Sequence, residues 1–196
     1  MFAATLVAAE AYAGMLADDG IVRGLIGPRE VPRLWDRHLL NCAVVTDLVA
    51  DGSSVCDIGS GAGLPGLVMA IRRPDLRLTL VEPLLRRTTF LDEAVARLGL
   101  TNVEVVRARA DELHGTRTFD VVTSRAVAPL DKLSRWSLPL VRSGGSFLSM
   151  KGSAAAAEVE TAAPVIRTMG ASFVDIAEVG GEVVDPAVRV VRISKR

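Results

Sequence analysis

Val55-Cys56-Asp57-Ile58-Gly59-Ser60-Gly61-Ala62-Gly63-Leu64-Pro65-Gly66 fixes the architecture of this chain. Val55–Ile58 is short and apolar with one acid inside it, the pattern of a buried strand. The glycines from Gly59 to Gly66 let the backbone turn tightly and come close to a ligand without side chains in the way. Pro65, with its fixed φ, suits the first turn of a following helix. The apolar run Leu67–Ile71 continues that helix and Pro74 stops it. A strand, a glycine turn and a helix open a nucleotide-binding doubly wound fold, whose ligand lies at the carboxyl end of the strand.

Apolar periodicity extends this unit in both directions. Ahead of it, Tyr12–Leu16 and Val31–Val49 read as helices, the second with Leu34, His38 and Val45 at helical spacing and Pro32 in its first turn. Ser54–Ile58 is the first strand and Leu64–Arg72 the first crossover helix. Strands are expected at Leu76–Val81, Val103–Val106, Phe119–Thr123 and Gly145–Met150. Helices are expected at Leu85–Leu98, closed by Gly99, and at Leu130–Val141 and Ala154–Thr168. Phe173–Val179 and Val188–Ile193 flank the Gly180-Gly181 turn region and read as an antiparallel pair. Strands alternating with helices imply right-handed crossovers. The expected fold is α/β, a Rossmann-like doubly wound sheet of the class I methyltransferase type. It is mostly parallel with a C-terminal antiparallel hairpin, in one domain of residues 1–196. Residues 1–50 form a helical N-terminal extension and 51–196 the core. The closing hairpin is an addition expected of methyltransferases and not of dehydrogenases.

The glycine turn admits two cofactors. Gly61-Ala62-Gly63-Leu64-Pro65-Gly66 fits G-x-G-x-x-G, and Glu82 follows at the offset of a ribose-binding acid, so a dinucleotide is one reading. Three features favour S-adenosylmethionine. Asp57 stands before the glycines, where it can meet a polar group of a small cofactor. A further acid, Asp111, follows the third strand. The chain also ends before a separate substrate domain could form. S-Adenosylmethionine has no pyrophosphate; it offers a ribose diol, an adenine edge and an ammonium, the first and last of which carboxylates can hold.

Composition sets bounds. The 196 residues, 49% apolar, suit one domain with a sizeable core. No run approaches the ~18 apolar residues of a membrane span, and the Ala-rich start carries Glu10 and lacks a basic lead, so no signal peptide is expected. Two cysteines, Cys42 and Cys56, are too few for a disulfide framework or metal cluster, and a reducing cytoplasm is the default. No metal site is expected. Formal net charge is zero, but residues 21–151 carry 18 bases against 14 acids, a mildly basic half compatible with phosphates. A monomer without membrane attachment is expected.

A family resemblance rests on several short runs taken together. They are Leu34-Trp35-Asp36-Arg37-His38-Leu39-Leu40-Asn41, Asp57 to Gly66, Arg86-Arg87-Thr88-Thr89-Phe90-Leu91, Arg109-Ala110-Asp111-Glu112, Ser124-Arg125-Ala126 and Lys151-Gly152. From about Pro32 to Lys151 the chain resembles the RsmG family, also called GidB, bacterial methyltransferases of N7 of a guanine in 16S ribosomal RNA. The resemblance implies a cytoplasmic enzyme using S-adenosylmethionine, with Gly59 and Leu64 lining the cofactor and Ala110 and Asp111 at its adenine. It places Arg125 beside the cofactor and the substrate entrance. Together with the residue-level reading, the expected cofactor set is Asp57, Gly59, Gly61, Gly63, Leu64, Glu82, Ala110, Asp111 and Arg125. This sequence departs from the family at Asn41-Cys42, where Asp-Ser is usual, and at Arg86-Arg87, where Lys-Arg is usual.

The chemistry is consistent with that family. Guanine N7 carries a lone pair and no proton at neutral pH, so no general base is needed and orientation does most of the work. No catalytic dyad is visible. Neither cysteine stands where a C5-methylating nucleophile would, and the position after the fourth strand reads Thr123-Ser124-Arg125-Ala126, without the polar acceptors an exocyclic amine calls for. Arg125 is the candidate for positioning substrate; the competing reading pairs it with Glu82 or Asp111. His38 reads as packed or capping and His114 as a loop residue, and Trp35 and Trp136 are the main stacking candidates, with core burial the weightier reading of each. Arg33, Arg37, Arg86, Arg87 and Lys151 are candidate RNA phosphate contacts as a group.

Overall fold

The computed structural model describes residues 1–125 and 127–196. Five parallel strands, β1 (Ser54–Ile58), β2 (Arg77–Val81), β3 (Val103–Val106), β4 (Phe119–Arg125) and β5 (Val141–Lys151), are joined by an antiparallel pair, β6 (Ala171–Val179) and β7 (Val188–Lys195). Their order is β3-β2-β1-β4-β5-β7-β6. The chain steps outward from β1 to β3 and then returns to start again at β4. A crevice therefore opens at the carboxyl ends of β1 and β4, where crossovers leave in opposite directions. Ser54 pairs with Arg77 and Val55 with Val121, so the central strands end level with one another.

Helices cover both faces. On one side α1 (Leu6–Ala17), α2 (Asp19–Val22), α3 (Leu40–Val44), α4 (Gly66–Arg72) and α5 (Leu85–Leu98) bury Tyr12, Leu16, Val44, Leu67, Met69 and Phe90 against Leu78 and Leu80 of β2. On the other, α6 (Leu130–Ser137) and α7 (Ala155–Thr168) bury Leu133, Ala162 and Ile166 against Val122, Phe147 and Val191. Alternate residues of β1 supply the two layers: Val55 faces the first, and Cys56 and Ile58 the second. No helix of the described residues is long and apolar enough to cross a membrane.

The expected elements are present, with three shifts that have physical causes. The single helix expected over Val31–Val49 is instead a 3₁₀ turn at Pro28–Arg33, a π-helical stretch at Leu34–Leu39, α3, and a second 3₁₀ turn at Val45–Leu48. Pro32 lacks the amide that would continue a regular ladder. The wider turn that follows brings His38 and the Arg37 carbonyl within reach of β4, as π-turns often do at functional sites. The first crossover helix starts at Gly66, since Leu64 and Pro65 belong to the turn. The helix expected to Val141 stops at Ser137, because Pro139 tightens the chain into a 3₁₀ turn, and β5 begins at once.

Candidate functional site

The glycine turn is built to be a bare floor. Gly59 adopts a φ of +67°, and a Cβ there would stand 2.8 Å from the Val127 side chain, so only glycine fits without displacing that wall. Gly66 serves the opposite side: a Cβ on it would meet Leu80 and Asp57, so its absence lets α4 pack onto the sheet. Six amides of the turn are committed internally. Gly59 and Ser60 donate to the Val81 carbonyl, Gly63 and Leu64 to the Ser60 carbonyl, Gly61 to Glu82 and Gly66 to Asp57. A pyrophosphate needs such amides pointing outward. This turn spends them on itself, which argues against the dinucleotide reading.

Asp57 is corrected by the structure. It is fully buried, its Oδ2 accepts the Gly66 N–H at 3.0 Å, and it does not line the crevice. Burial pushes its carboxyl up to about 7, against the lowering effect of Ser60 and the Gly66 amide. It supports the turn from behind instead of meeting a ligand. Gly63 likewise faces inward, toward Leu67 and the Tyr12 hydroxyl. Tyr12, which sequence reasoning gave no role, donates from α1 to the Ala62 carbonyl at 2.6 Å. It is the only tyrosine in the chain, but nothing local in an Ala-rich helix announces a contact fifty residues away.

Two recesses meet over Gly59, sharing Gly59, Pro83 and Val127. The first, of about 200 Å3, is apolar: Ile58, Val81, Ala108, Ala110 and Trp136 form its walls. Its rim carries Asp111, gripped by Arg109 through bonds of 3.0 and 3.2 Å. That guanidinium holds the Asp111 carboxyl below its ordinary range. Trp136 is thus a wall of the site, not solely core, and His114 Nε2 at 2.9 Å from its carbonyl braces it. The second recess is more open, about 730 Å3, and more polar than the first, with Gly61, Leu64, Glu82, Arg87, Arg125 and His38 along it.

Glu82 lies at the end of β2, only 1% exposed. Its Oε2 accepts the Gly61 N–H at 3.0 Å and its Oε1 the Leu84 N–H at 3.1 Å, with Arg87 Nη1 at 3.4 Å. The carboxylate is held in place by backbone, and Oε1, which accepts a single bond, keeps a lone pair for a hydroxyl. Arg125 closes β4 and pairs with neither Glu82 nor Asp111. Its guanidinium donates to Cys42 Sγ at 3.1 Å, to the Arg37 carbonyl at 3.2 Å and to His38 Nδ1 at 3.0 Å. Cys42 therefore meets Arg125 with a thiol, a weaker acceptor than the hydroxyl of the usual serine.

The candidate phosphate contacts divide. Arg33, Arg37 and Arg86 are exposed. Arg87 turns into the crevice beside Glu82, its Nε buried without a partner. Lys151 is a correction: its side chain is 9% exposed, and its Nζ donates to the Ala128 carbonyl at 3.0 Å and to Glu158 at 2.7 Å. Neutralised there, it ties the β4–α6 connection to α7 and presents no charge to RNA. Ala126, within the expected Ser124-Arg125-Ala126 motif, lies outside the described residues. Among the described residues no group of three or more His, Cys, Asp or Glu could hold a metal ion.

The donor set fits S-adenosylmethionine: an apolar slot with a rim acid for adenine, an anchored carboxylate for a ribose diol, and a bare glycine floor between them. Fold and site together define a class I methyltransferase. Solved structures agree on the fold. Precorrin-6y C5,15-methyltransferase from Geobacter metallireducens GS-15 matches with a TM-score of 0.58 at 18% identity, covering 88% of this chain and 91% of that one. A SAM-dependent O-methyltransferase from Thermotoga maritima matches with a TM-score of 0.60 at 14% identity, covering 85% and 70%.

Sequence comparison is more specific. The family model for GidB, rRNA small subunit methyltransferase G, matches residues 5–183. Ribosomal RNA small subunit methyltransferase G of Thermobifida fusca is 57% identical over 194 residues, covering 99% of this chain and 82% of the relative. That of Nocardioides sp. is 61% identical over 174 residues, covering 89% and 70%. The chain belongs to the rRNA small subunit methyltransferase G family.

Proposed function

We propose that this protein transfers the methyl group of S-adenosylmethionine to N7 of a guanine in 16S ribosomal RNA. The observation that carries the reading is the continuous crevice over Gly59, which joins an apolar slot to a polar chamber containing Arg125. Ala110, Asp111 and Trp136 would hold the adenine and Glu82 the ribose hydroxyls. The cofactor supplies an electrophilic methyl group on a sulfonium. Guanine N7 already holds the attacking lone pair, so the protein's task is to bring it in line and keep water out. Arg125 holds guanine O6 or a neighbouring phosphate and sets the base against the methyl. It gives no proton and takes none.

Arg33, Arg37 and Arg86 at the exposed rim track RNA phosphates. The whole chain works as one catalytic domain, as a monomer, in the cytoplasm where ribosomal RNA is made. Transfer of labelled methyl to small ribosomal subunits or to their RNA, with the modified base mapped by cleavage at 7-methylguanine, tests the reading. No transfer to either substrate under conditions where S-adenosylmethionine binds overturns it, and so does label at a different atom.

A further inference from the structure

Arg125 is seated by a chain of polar contacts that starts in the N-terminal segment. Arginine offers only donors. His38 Nδ1, 3.0 Å from Arg125 Nη2, must therefore accept. The ring proton then sits on Nε2 and is donated to Glu30 Oε2 at 2.8 Å. Glu30 is steadied by Arg37, whose Nη1 stands 3.7 Å from its other oxygen. The network thus assigns His38 a neutral, Nε2-protonated ring. Three of the five N–H donors of Arg125 are spent on Cys42, Arg37 and His38. The remaining two have no acceptor among the described residues and are left for a ligand in the crevice.

Resting on the function proposed above, we propose that Glu30 and His38 are positioning residues for methyl transfer: neutral His38, oriented by Glu30, holds the Arg125 guanidinium in the pose that receives the RNA. Protonated His38 would point an N–H at a guanidinium N–H and expel Arg125 from that seat. The environment defends the neutral form. Burial lowers the tendency of His38 to protonate, and the Arg125 and Arg37 charges lower it further, while the Glu30 bond and charge oppose them. These are the charged groups facing the ring; Arg33 acts on Glu30, and Cys42 and Tyr12 lie at the inner end of Arg125, with Asp57 acting on both from behind. The lone histidine of the Trp35–Asn41 run thereby acquires a role that neither capping nor core packing requires.

Two measurements test this. The first follows kcat/KM for RNA at saturating cofactor across about pH 5.5 to 8.5, with cofactor affinity measured in parallel to remove any effect of Asp57. An acid limb is expected in the wild type. His38→Ala is expected to lose about ten- to a hundredfold in kcat/KM for RNA with cofactor affinity within about twofold. His38→Gln, whose amide oxygen accepts from Arg125 and cannot gain a proton, should recover most of that loss and flatten the limb. Glu30→Gln should move the limb to lower pH. The idea is overturned if His38→Ala keeps wild-type RNA kinetics, if its cofactor affinity falls in parallel, or if His38→Gln retains the wild-type limb.

The second measurement is independent of activity. Nitrogen chemical shifts of the two histidines, assigned with His114→Asn, report the His38 tautomer directly. A proton on Nε2 is expected, and a proton on Nδ1 refutes the seating. Failure of wild-type methyl transfer with the Nε2 tautomer present would count against the substrate assignment and not against this contact.

Discussion

Gly59 concentrates the steric demand of the site in one position. A side chain there is strained by φ and collides with Val127, and it would also fill the floor proposed to carry the cofactor. Gly59→Ala is expected to weaken S-adenosylmethionine binding by about tenfold or more while the chain still folds, checked by calorimetric titration. Asp57 makes a second prediction, in stability. Its carboxyl titrates near 3.8 when unfolded and near 7 when buried. Between those values the native state keeps a proton that the unfolded chain has released. Stability therefore falls as pH rises through that window and levels off above it. Asp57→Asn removes the titration. Its melting temperature should match the wild type near pH 4 and exceed it at pH 8, by an amount worth up to a few kcal/mol. Equal pH slopes for the two proteins would refute the assignment.

Among the elements, α1 does more than cover the sheet. Among the described residues its Tyr12 hydroxyl is the only side-chain donor to the glycine turn's Ala62 carbonyl, so the N-terminal helix clamps the glycine turn from below. Tyr12→Phe leaves that buried carbonyl unpaired, at a cost of about 1–3 kcal/mol. Part of this should appear as a lower melting temperature and part as a several-fold weaker cofactor affinity; calorimetry and thermal melts separate the two. The β4–α6 connection is held from the other side. Glu158 of α7 accepts from both Lys151 Nζ and the Leu130 amide. Lys151→Met should destabilise the fold and loosen this wall, yet leave the salt dependence of RNA binding as in the wild type, because Lys151 faces the interior. A reduced salt slope would restore it as a phosphate contact.

For the whole molecule, zero net charge hides an uneven distribution. Arg33 and Arg86 are exposed and neighbour in sequence the lining residues Glu30, Arg37 and Arg87, and the acid excess that balances the basic residues 21–151 lies mainly in residues 1–20, with Glu10, Asp18 and Asp19 and no base. Attraction to RNA is therefore a property of one face. Replacing Arg33 and Arg86 together by glutamine should raise KM for RNA and flatten its dependence on log salt by about 1.4 to 1.8, with cofactor affinity unaltered. Kinetics at three or more salt concentrations check this; an unchanged slope would move the RNA path elsewhere.

Local pattern alone was enough for the strand, glycine turn and helix around Gly59, for the alternation of strands and helices, and for Glu82 at the end of β2. These depend on period, glycine and chain order, which a sequence displays directly. It could not show that Asp57 is buried away from the crevice, that Lys151 is buried against Glu158, or that Tyr12, Glu30 and His38 reach the glycine turn and Arg125. Those outcomes depend on which side chains from distant segments compete for the same donors, and on how burial shifts their charges. Both are settled only when α1, the π-turn and β4 are packed together.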